Sequence, residues 1–568
     1  MFLAEAVSDI VERIPYVLYG GDPETVIYAL FNSSPNDRFA SALCIFNMES
    51  FKTSFNGEFR NTDGFEVLSL NDSHMRPGNY IHVRYSVRSE EKNQYVCIQN
   101  HNPADECHNY LRVFVEVTLE IFLICGTNAY DPTCREYLIS NGEKKVTEEF
   151  SARGICPYSP HFNVTSLEAN GLFTATYEWD YGPYPIISKK TLQPNIQIRT
   201  PHKHLSHLSE KLNFVGSFVY EAHVYFFFSE LIAETRQFSK VARVCRNDNG
   251  YGSSPNIKQW MSFSETRLIC SFEDKIYFNQ IQAVSDIVER IPYVLYGGDP
   301  ETVIYALFNS SPNDRFASAL CIFNMESFKT SFNGEFRNTD GFEVLSLNDS
   351  HMRPGNCQNY PREITLAFEY VLDTHYEMIL PILSSKNEPL LMESNHACRY
   401  TSLYVDAQVN STSTYMYDIL YIATECGTVI KVLNGFTDYF VPILQTIKVS
   451  DPPTVLTGLY IFNENLMVIS QNEIYAVKMH RCHIRAKTCG ECVSLRDPYC
   501  AWRRDLKYCY GTDMRTDTIR RNVLIQNIEL GYDTRCIRED ETTTQKSTVE
   551  TTTVYVIEPN IYFINTKL

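Results

Sequence analysis

The residues most able to do chemistry lie between Cys482 and Cys509, in CHIRAKTCGECVSLRDPYCAWRRDLKYC, where five cysteines share one short stretch with Trp502 and an Asp497-Pro498 turn. Cys489-Gly490-Glu491-Cys492 has the spacing of a redox CxxC or of half a zinc site. A redox motif belongs where a strand hands over to a helix in a βαβ pattern, and a zinc site needs a second CxxC or a paired His at ligand spacing. Neither context is present. Adding Cys536 makes the set six and even. A segment this short buries too little apolar surface to hold itself together, so the pattern predicts a structural disulfide knot formed in an oxidising compartment.

Other chemistry-bearing clusters are weaker. His202, His204 and His207 lie in PHKHLSHLSE with no carboxylate or cysteine at matching spacing, and read as a surface loop rather than a metal site. Asn247-Asp248-Asn249-Gly250 lacks the acidic residue that would finish a calcium loop and reads as a turn. No phosphate-cradling glycine loop, nucleophile elbow or HExxH helix occurs, so neither catalysis nor a cofactor or metal is expected.

The elements that must position these residues are short apolar runs broken by turn residues. Leu459–Phe462, Leu466–Ile469 and Ile474–Val477 form such a meander, and Asp418–Ala423 and Thr428–Leu433 flank a turn at Glu425-Cys426-Gly427. Repeated small antiparallel sheets indicate an all-β chain, leaving propeller, sandwich array and barrel open. With 568 residues, 37 of them Tyr, there is material for one large domain and smaller ones. The net charge of −18 and pI of about 5.3 argue against nucleic acid or an anionic membrane as the main partner.

The cysteine run resembles the module that follows the large domain of semaphorins and plexins, and CVSLRDPYCAW is close to the semaphorin version. Semaphorin-like strings recur upstream in order: ECHNYLRVF from Glu106, ICGTNAYDPTC from Ile124, GICPYSPHFNVTS from Gly154, VARVCRND from Val241 and RPGNC from Arg353. The resemblance implies a seven-bladed β-propeller of the sema type over 80–480, a disulfide-rich PSI module over 481–537 and a Thr-rich tail over 538–568. It implies the pairs Cys97 with Cys107, Cys125 with Cys134, Cys245 with Cys357, Cys270 with Cys321, Cys482 with Cys500, Cys489 with Cys536, and Cys492 with Cys509. Cys44, Cys156, Cys398 and Cys426 receive no partner, and a Cys398 to Cys426 bridge stays open. Glycosylation is expected at the sequons of Asn163, Asn309, Asn348 and Asn410; those of Asn32 and Asn71 belong to a copied block.

That copied block is the other feature of the chain: Ala6–Asn79 is identical to Ala283–Asn356, 74 residues at an offset of 277. Repeat architectures drift and recur at short periods, so one exact long copy indicates a recent duplication or a misassembled sequence. The second copy runs into RPGNC and stands in the expected order, whereas the first runs into RPGNYIHVRY. Residues 1–79 are therefore expected to be non-native. A hairpin of Ile14–Tyr19 with Thr25–Phe31 is expected in the first copy, with a poorly closed ring and exposed edges around it. No signal peptide is visible after Met1, since Glu5, Asp9 and Glu12 interrupt the apolar residues, and a faulty N-terminus or truncation is the expected reason.

The function that the resemblance implies is an extracellular guidance ligand, secreted or at the cell surface. It would be a homodimer that binds a plexin-type receptor and acts by recognition, with no nucleic acid or small-molecule substrate. The alternatives are a plexin-like receptor fragment, a misassembled product that does not fold, and a secreted disulfide or metal enzyme. No receptor-contact residue is identified, because such contacts lie on loops.

Overall fold

The computed structural model describes the backbone of three strands within 2–47 and most of the chain from 89 to 537, excluding among others 201–210, 291–299, 346–352, 358–365, 436–442 and 512–522; the pair 562–563 is also described. Antiparallel meanders dominate, and among the described residues they form seven sheets plus the small sheet of the cysteine module.

The first sheet contains Phe2–Arg13, Glu24–Ser33 and Ser41–Asn47. The second contains Leu111–Thr118, Ile121–Gly126, Thr133–Ser140 and Glu143–Ser151. The third is built on Thr165–Glu168, Leu172–Trp179, Pro183–Thr191 and Ile196–Arg199, and the fourth on Lys211–Tyr220, His223–Ile232, Arg236–Cys245 and Ser264–Phe272. Gln280–Val284, Val288–Arg290, Glu301–Asn309, Ser318–Asn324 and Leu391–Glu393 make the fifth. The sixth runs through Tyr400–Asn410, Met416–Thr424, Thr428–Asn434 and Ile443–Lys448, and the seventh through Leu456–Phe462, Asn465–Ser470 and Ile474–Lys478, whose edge pairs with Tyr562–Phe563.

Each sheet packs its opening strand on that of the next, and Phe2–Arg13 touches both the seventh sheet and Leu111–Thr118 of the second, so the succession closes on itself. The protein is a β-propeller. Its cores are the interfaces between successive sheets, which is why inner strands are apolar on both faces. In Glu301–Asn309, Ile304, Ala306 and Phe308 join the core shared with the fourth sheet, while Val303, Tyr305 and Leu307 join the core shared with the sixth. This period-two division accounts for the unbroken burial along the strand. At the turn after Met416–Thr424, Gly427 has φ of +74°, and a Cβ there would lie 2.3 Å from the Ser450 hydroxyl oxygen, so glycine is required.

The first copy departs from the expected hairpin. Glu24–Ser33 takes Phe2–Arg13 as its partner, and Ile14–Tyr19 lies outside the described residues. Pattern reading selects the apolar run nearest the Gly-Gly turn, whereas pairing is settled by which run can be held between two neighbouring sheets. Among the described residues, Phe2–Arg13, Glu24–Ser33 and Ser41–Asn47 give the ring a three-stranded member drawn largely from the copied block. Its last strand, Ser41–Asn47, is a sheet edge among the described residues.

Candidate functional site

Among the described residues, eight disulfides frame the molecule. The structure joins Cys97 to Cys107, Cys125 to Cys134, Cys245 to Cys357, Cys270 to Cys321, Cys398 to Cys426, Cys482 to Cys500, Cys489 to Cys536 and Cys492 to Cys509. Their positions follow from the sheets. Cys125 and Cys134 face each other across adjacent strands. Cys270–Cys321 ties the fourth sheet to the fifth, and Cys245–Cys357 ties the fourth to the RPGNC segment. The Cys398–Cys426 bridge, left open by sequence, forms because pairing of Tyr400 with Thr424 brings the segment before one strand onto the turn after the other. Cys156 stays a thiol, buried in the core that holds Cys125 and Cys134, and burial pushes it well above the usual thiol range. Cys44 lies on Ser41–Asn47, and its side chain is outside the described residues.

In the cysteine module, Trp502 is fully buried among all six cysteines. Cys489 and Cys492 sit on one helix, Cys489–Ser494, opened by a reciprocal cap: the Thr488 hydroxyl accepts from the Glu491 N–H and the Glu491 carboxylate accepts from the Thr488 N–H, both at 3.2 Å. Because each cysteine is bonded to a different partner, the CxxC spacing serves two separate staples and neither redox exchange nor zinc. His223, Cys245 and Cys357 place ligand-type atoms within 4.8 Å of one another, but the two sulfurs are bonded together and offer no thiolate.

The Asn247–Gly250 stretch is structural. Asp248 is fully buried; one carboxylate oxygen accepts from the Gly250 N–H at 2.8 Å, and the other from the Met261 and Ser262 N–H groups and the Ser262 hydroxyl. Burial raises its pKa against these donors. With both oxygens so used, no calcium position remains. His202, His204 and His207 lie outside the described residues.

The sequons divide. Asn163 is exposed, with its amide donating to Asn213 Oδ1 at 2.7 Å, and Asn410 is half-buried at a strand end. Asn348 lies outside the described residues. Asn309 corrects the expectation of a glycan: it is 4% exposed, and its carbonyl oxygen accepts from the Ser318 hydroxyl at 2.6 Å inside the fifth sheet. A sequon is a local string, and this one folds into a core.

Sequence reasoning missed the junction where the module seats on the sixth sheet. Lys431 of Thr428–Asn434 and Asp497 of the module are both fully buried and 2.7 Å apart, with Arg485 at 3.6 Å from the same carboxylate. Burial pulls the Lys431 ammonium below its usual range, with Asp497 opposing. The Tyr499 hydroxyl bonds Asp406, the Tyr417 hydroxyl donates to Glu529 at 2.7 Å, and the Gln526 carbonyl oxygen accepts from the Thr412 N–H at 2.8 Å. Tyr499 and Ile528 complete the core between the sixth and seventh sheets, so the module is a rigid extension of the ring. The signal available was the Arg496-Asp497-Pro498 turn beside a lysine on an otherwise apolar strand.

A disulfide-stapled propeller followed by a small cystine knot defines an ectodomain of the sema and PSI class. Residues 15–110 and 290–463 match the Sema domain family, and 481–526 match the plexin repeat. The chain is 33% identical over 492 residues to Semaphorin-1A of Schistocerca americana, covering 82% of this chain and 66% of that protein. It is 29% identical over 486 residues to Semaphorin-1A of Drosophila melanogaster, covering 79% and 52%. Among solved structures, extracellular domains 1-2 of Drosophila Semaphorin 1a superpose with a TM-score of 0.71 at 26% identity, covering 94% of this chain and 99% of that one. A chain of the complex of Drosophila Plexin A with Semaphorin 1b superposes with a TM-score of 0.70 at 26% identity, covering 93% and 97%. The protein belongs to the semaphorin family. It spans less than two thirds of the length of these curated relatives.

Proposed function

We propose that this protein is an extracellular guidance ligand, recognised by the propeller of a plexin-type receptor on another cell, and that it acts by binding alone. The observation that carries this is the superposition over 93% of the protein on a chain of the complex of Plexin A with Semaphorin 1b. Likeness to Plexin A4 is 12% identical over 74% of the chain and speaks only to the fold, which favours the ligand side over the receptor side. The eight disulfides suit the oxidising environment outside the cell. They also suit the mechanism, since a stapled ring with a rigidly seated module loses little freedom on binding. In this reading two ligand propellers pair and hold two receptors at a fixed spacing.

The test is secretion of the chain behind a foreign signal peptide, followed by surface binding to a plexin ectodomain and light scattering of the free ligand. Saturable binding and a dimer mass are expected. Monodisperse protein that ignores every plexin ectodomain of its source organism would sink the ligand reading, and a monomer mass would remove the paired form alone.

A further inference from the structure

Of the eight described disulfides, seven are made by buried cysteines, whereas Cys398 and Cys426 are both half-buried. Ser394, Asn395 and Ala397 are exposed on the approach to Cys398, and Glu425 is exposed beside Cys426. The bond joins two surface turns, one after Leu391–Glu393 of the fifth sheet and one before Thr428–Asn434 of the sixth.

Polar groups stand at both sulfurs. The Asn395 side-chain amide donates to Cys398 Sγ at 3.4 Å, and the Thr424 and Thr428 hydroxyls lie 3.3 and 3.5 Å from Cys426 Sγ. The Thr424 hydroxyl donates to the Thr428 carbonyl oxygen at 3.0 Å, which leaves the Thr428 proton to turn to the sulfur. A donor so placed stabilises the charge that collects on a departing thiolate, and a better leaving group departs faster. The two turns also keep attachments that do not pass through the bond. The Glu425 N–H donates to the Arg399 carbonyl oxygen at 2.9 Å, Tyr400 is buried and pairs with Thr424, and a His396 ring nitrogen lies 2.9 Å from the Asp314 carbonyl oxygen.

We propose that Cys398–Cys426 is a thiol–disulfide exchange site, opened in the folded protein by a dithiol oxidoreductase of the CxxC type while the ring and its module stay intact. A thiolate of the reductant attacks Cys398 Sγ; the bond to Cys426 breaks, and its electron pair leaves on Cys426 Sγ, to which the Thr428 hydroxyl donates. The reductant's second thiolate then attacks its own sulfur in the mixed disulfide, closing the reductant's disulfide and releasing the Cys398 thiolate. The protons lost by the two reductant thiols end on Cys398 and Cys426, so one dithiol is oxidised and one disulfide reduced by two electrons and two protons. Burial withholds the other seven bonds from an attacking thiolate. Opening this one frees residues 394–399 and 425–427, and so alters the surface where the fifth and sixth sheets meet. The exchange stands or falls independently of receptor recognition.

The experiment treats the full secreted chain, without denaturant, with reduced thioredoxin, blocks the thiols that form with N-ethylmaleimide, and locates them by peptide mass mapping. Cys398 and Cys426 should be labelled about tenfold or more faster than any cysteine of the other seven bonds. Hydrogen exchange should rise at 394–399 and 425–427 on reduction and stay unchanged in Glu301–Asn309 and Asn465–Ser470. T428V, which keeps the side-chain shape and removes the hydroxyl, should slow the labelling about threefold. C398A/C426A should be secreted and show no early labelling. Equally fast labelling of another pair, opening of this bond only together with all the others, an unchanged rate in T428V, or failure of C398A/C426A to be secreted would each overturn the proposal.

Discussion

The same 74-residue block contributes strands to the first sheet and to the fifth, and those strands share their register. Ala4 faces Phe31 and Ala6 faces Leu30 around a one-residue bulge, as Ile281 faces Phe308 and Ala283 faces Leu307; Val26 opposes Asn47 as Val303 opposes Asn324. Around the fifth sheet the structure describes partners supplied from outside the block. The fifth sheet receives a fourth strand, Leu391–Glu393, on the edge of Ser318–Asn324, and a disulfide from Cys270 to Cys321. It also receives Asp418 from the sixth sheet, which accepts from the Tyr305 hydroxyl at 2.6 Å and sits 3.3 Å from the Arg290 guanidinium. Cys44, Arg13 and Tyr28 are the matching residues of the first sheet. Local pairing is therefore a property of the block, and the locks on it are properties of its neighbours.

The severest way to break this comparison is to excise residues 2–47. If the first copy is a working member of the ring, two sheets lose the face they pack on, and secretion behind a foreign signal peptide should fall to background on an immunoblot of the medium. Undiminished secretion of a folded chain would instead mark the block as extraneous.

Next in size is one substitution made in each copy. Arg290→Ala leaves the buried Asp418 carboxylate without its cation and should cost about 3–5 kcal/mol in a urea titration. Arg13→Ala should cost about 1 kcal/mol or less. Equal costs would mean that the second sheet provides an acid equivalent to Asp418.

Cysteine removal sharpens the same contrast. Cys321→Ser opens a staple between residues 51 apart in sequence and should cost about 2–4 kcal/mol. Cys44→Ser should change stability by about 0.5 kcal/mol or less. A cost for Cys44→Ser as large as that for Cys321→Ser would reveal a bridge to the first copy.

The smallest expected effect is a titration at the end of the second copy. His223 lies by the Cys245–Cys357 disulfide, 3.4 Å from the Gly355 carbonyl, and burial, reinforced by Arg243, lowers its pKa to about 4. The unfolded imidazole takes up its proton near pH 6.5, so the unfolded state binds more protons and stability is lost as pH falls from about 6.5 toward 4. The loss should be roughly 2 kcal/mol between pH 7 and pH 5, and His223→Gln should flatten that part of the pH profile. An unchanged slope in the variant would place the titration elsewhere.

Much of the fold was legible in the residues. The three strands from Leu456 to Lys478 and the turn at Glu425–Gly427 stand close to where alternating apolar runs and turn residues placed them. The sites were less legible. Asn309 carries a valid sequon and is buried, and Lys431 looks like a solvent-facing lysine and is sealed against Asp497, because a one-dimensional pattern reports which face a residue takes but not what covers that face.

By itself the sequence determined the short-range terms: antiparallel ladders and their bulges, the glycine at position 427, the helix cap at Thr488, and an even set of cysteines in the module. These depend on backbone sterics and on neighbours a few residues away. Only the tertiary structure decided that Cys398 meets Cys426, that Cys156 is left a thiol, that the module docks on the sixth sheet, and that Cys270 of the fourth sheet staples the fifth. Those outcomes join residues brought together by ring closure, and their energies arise from burial that no single segment can create alone.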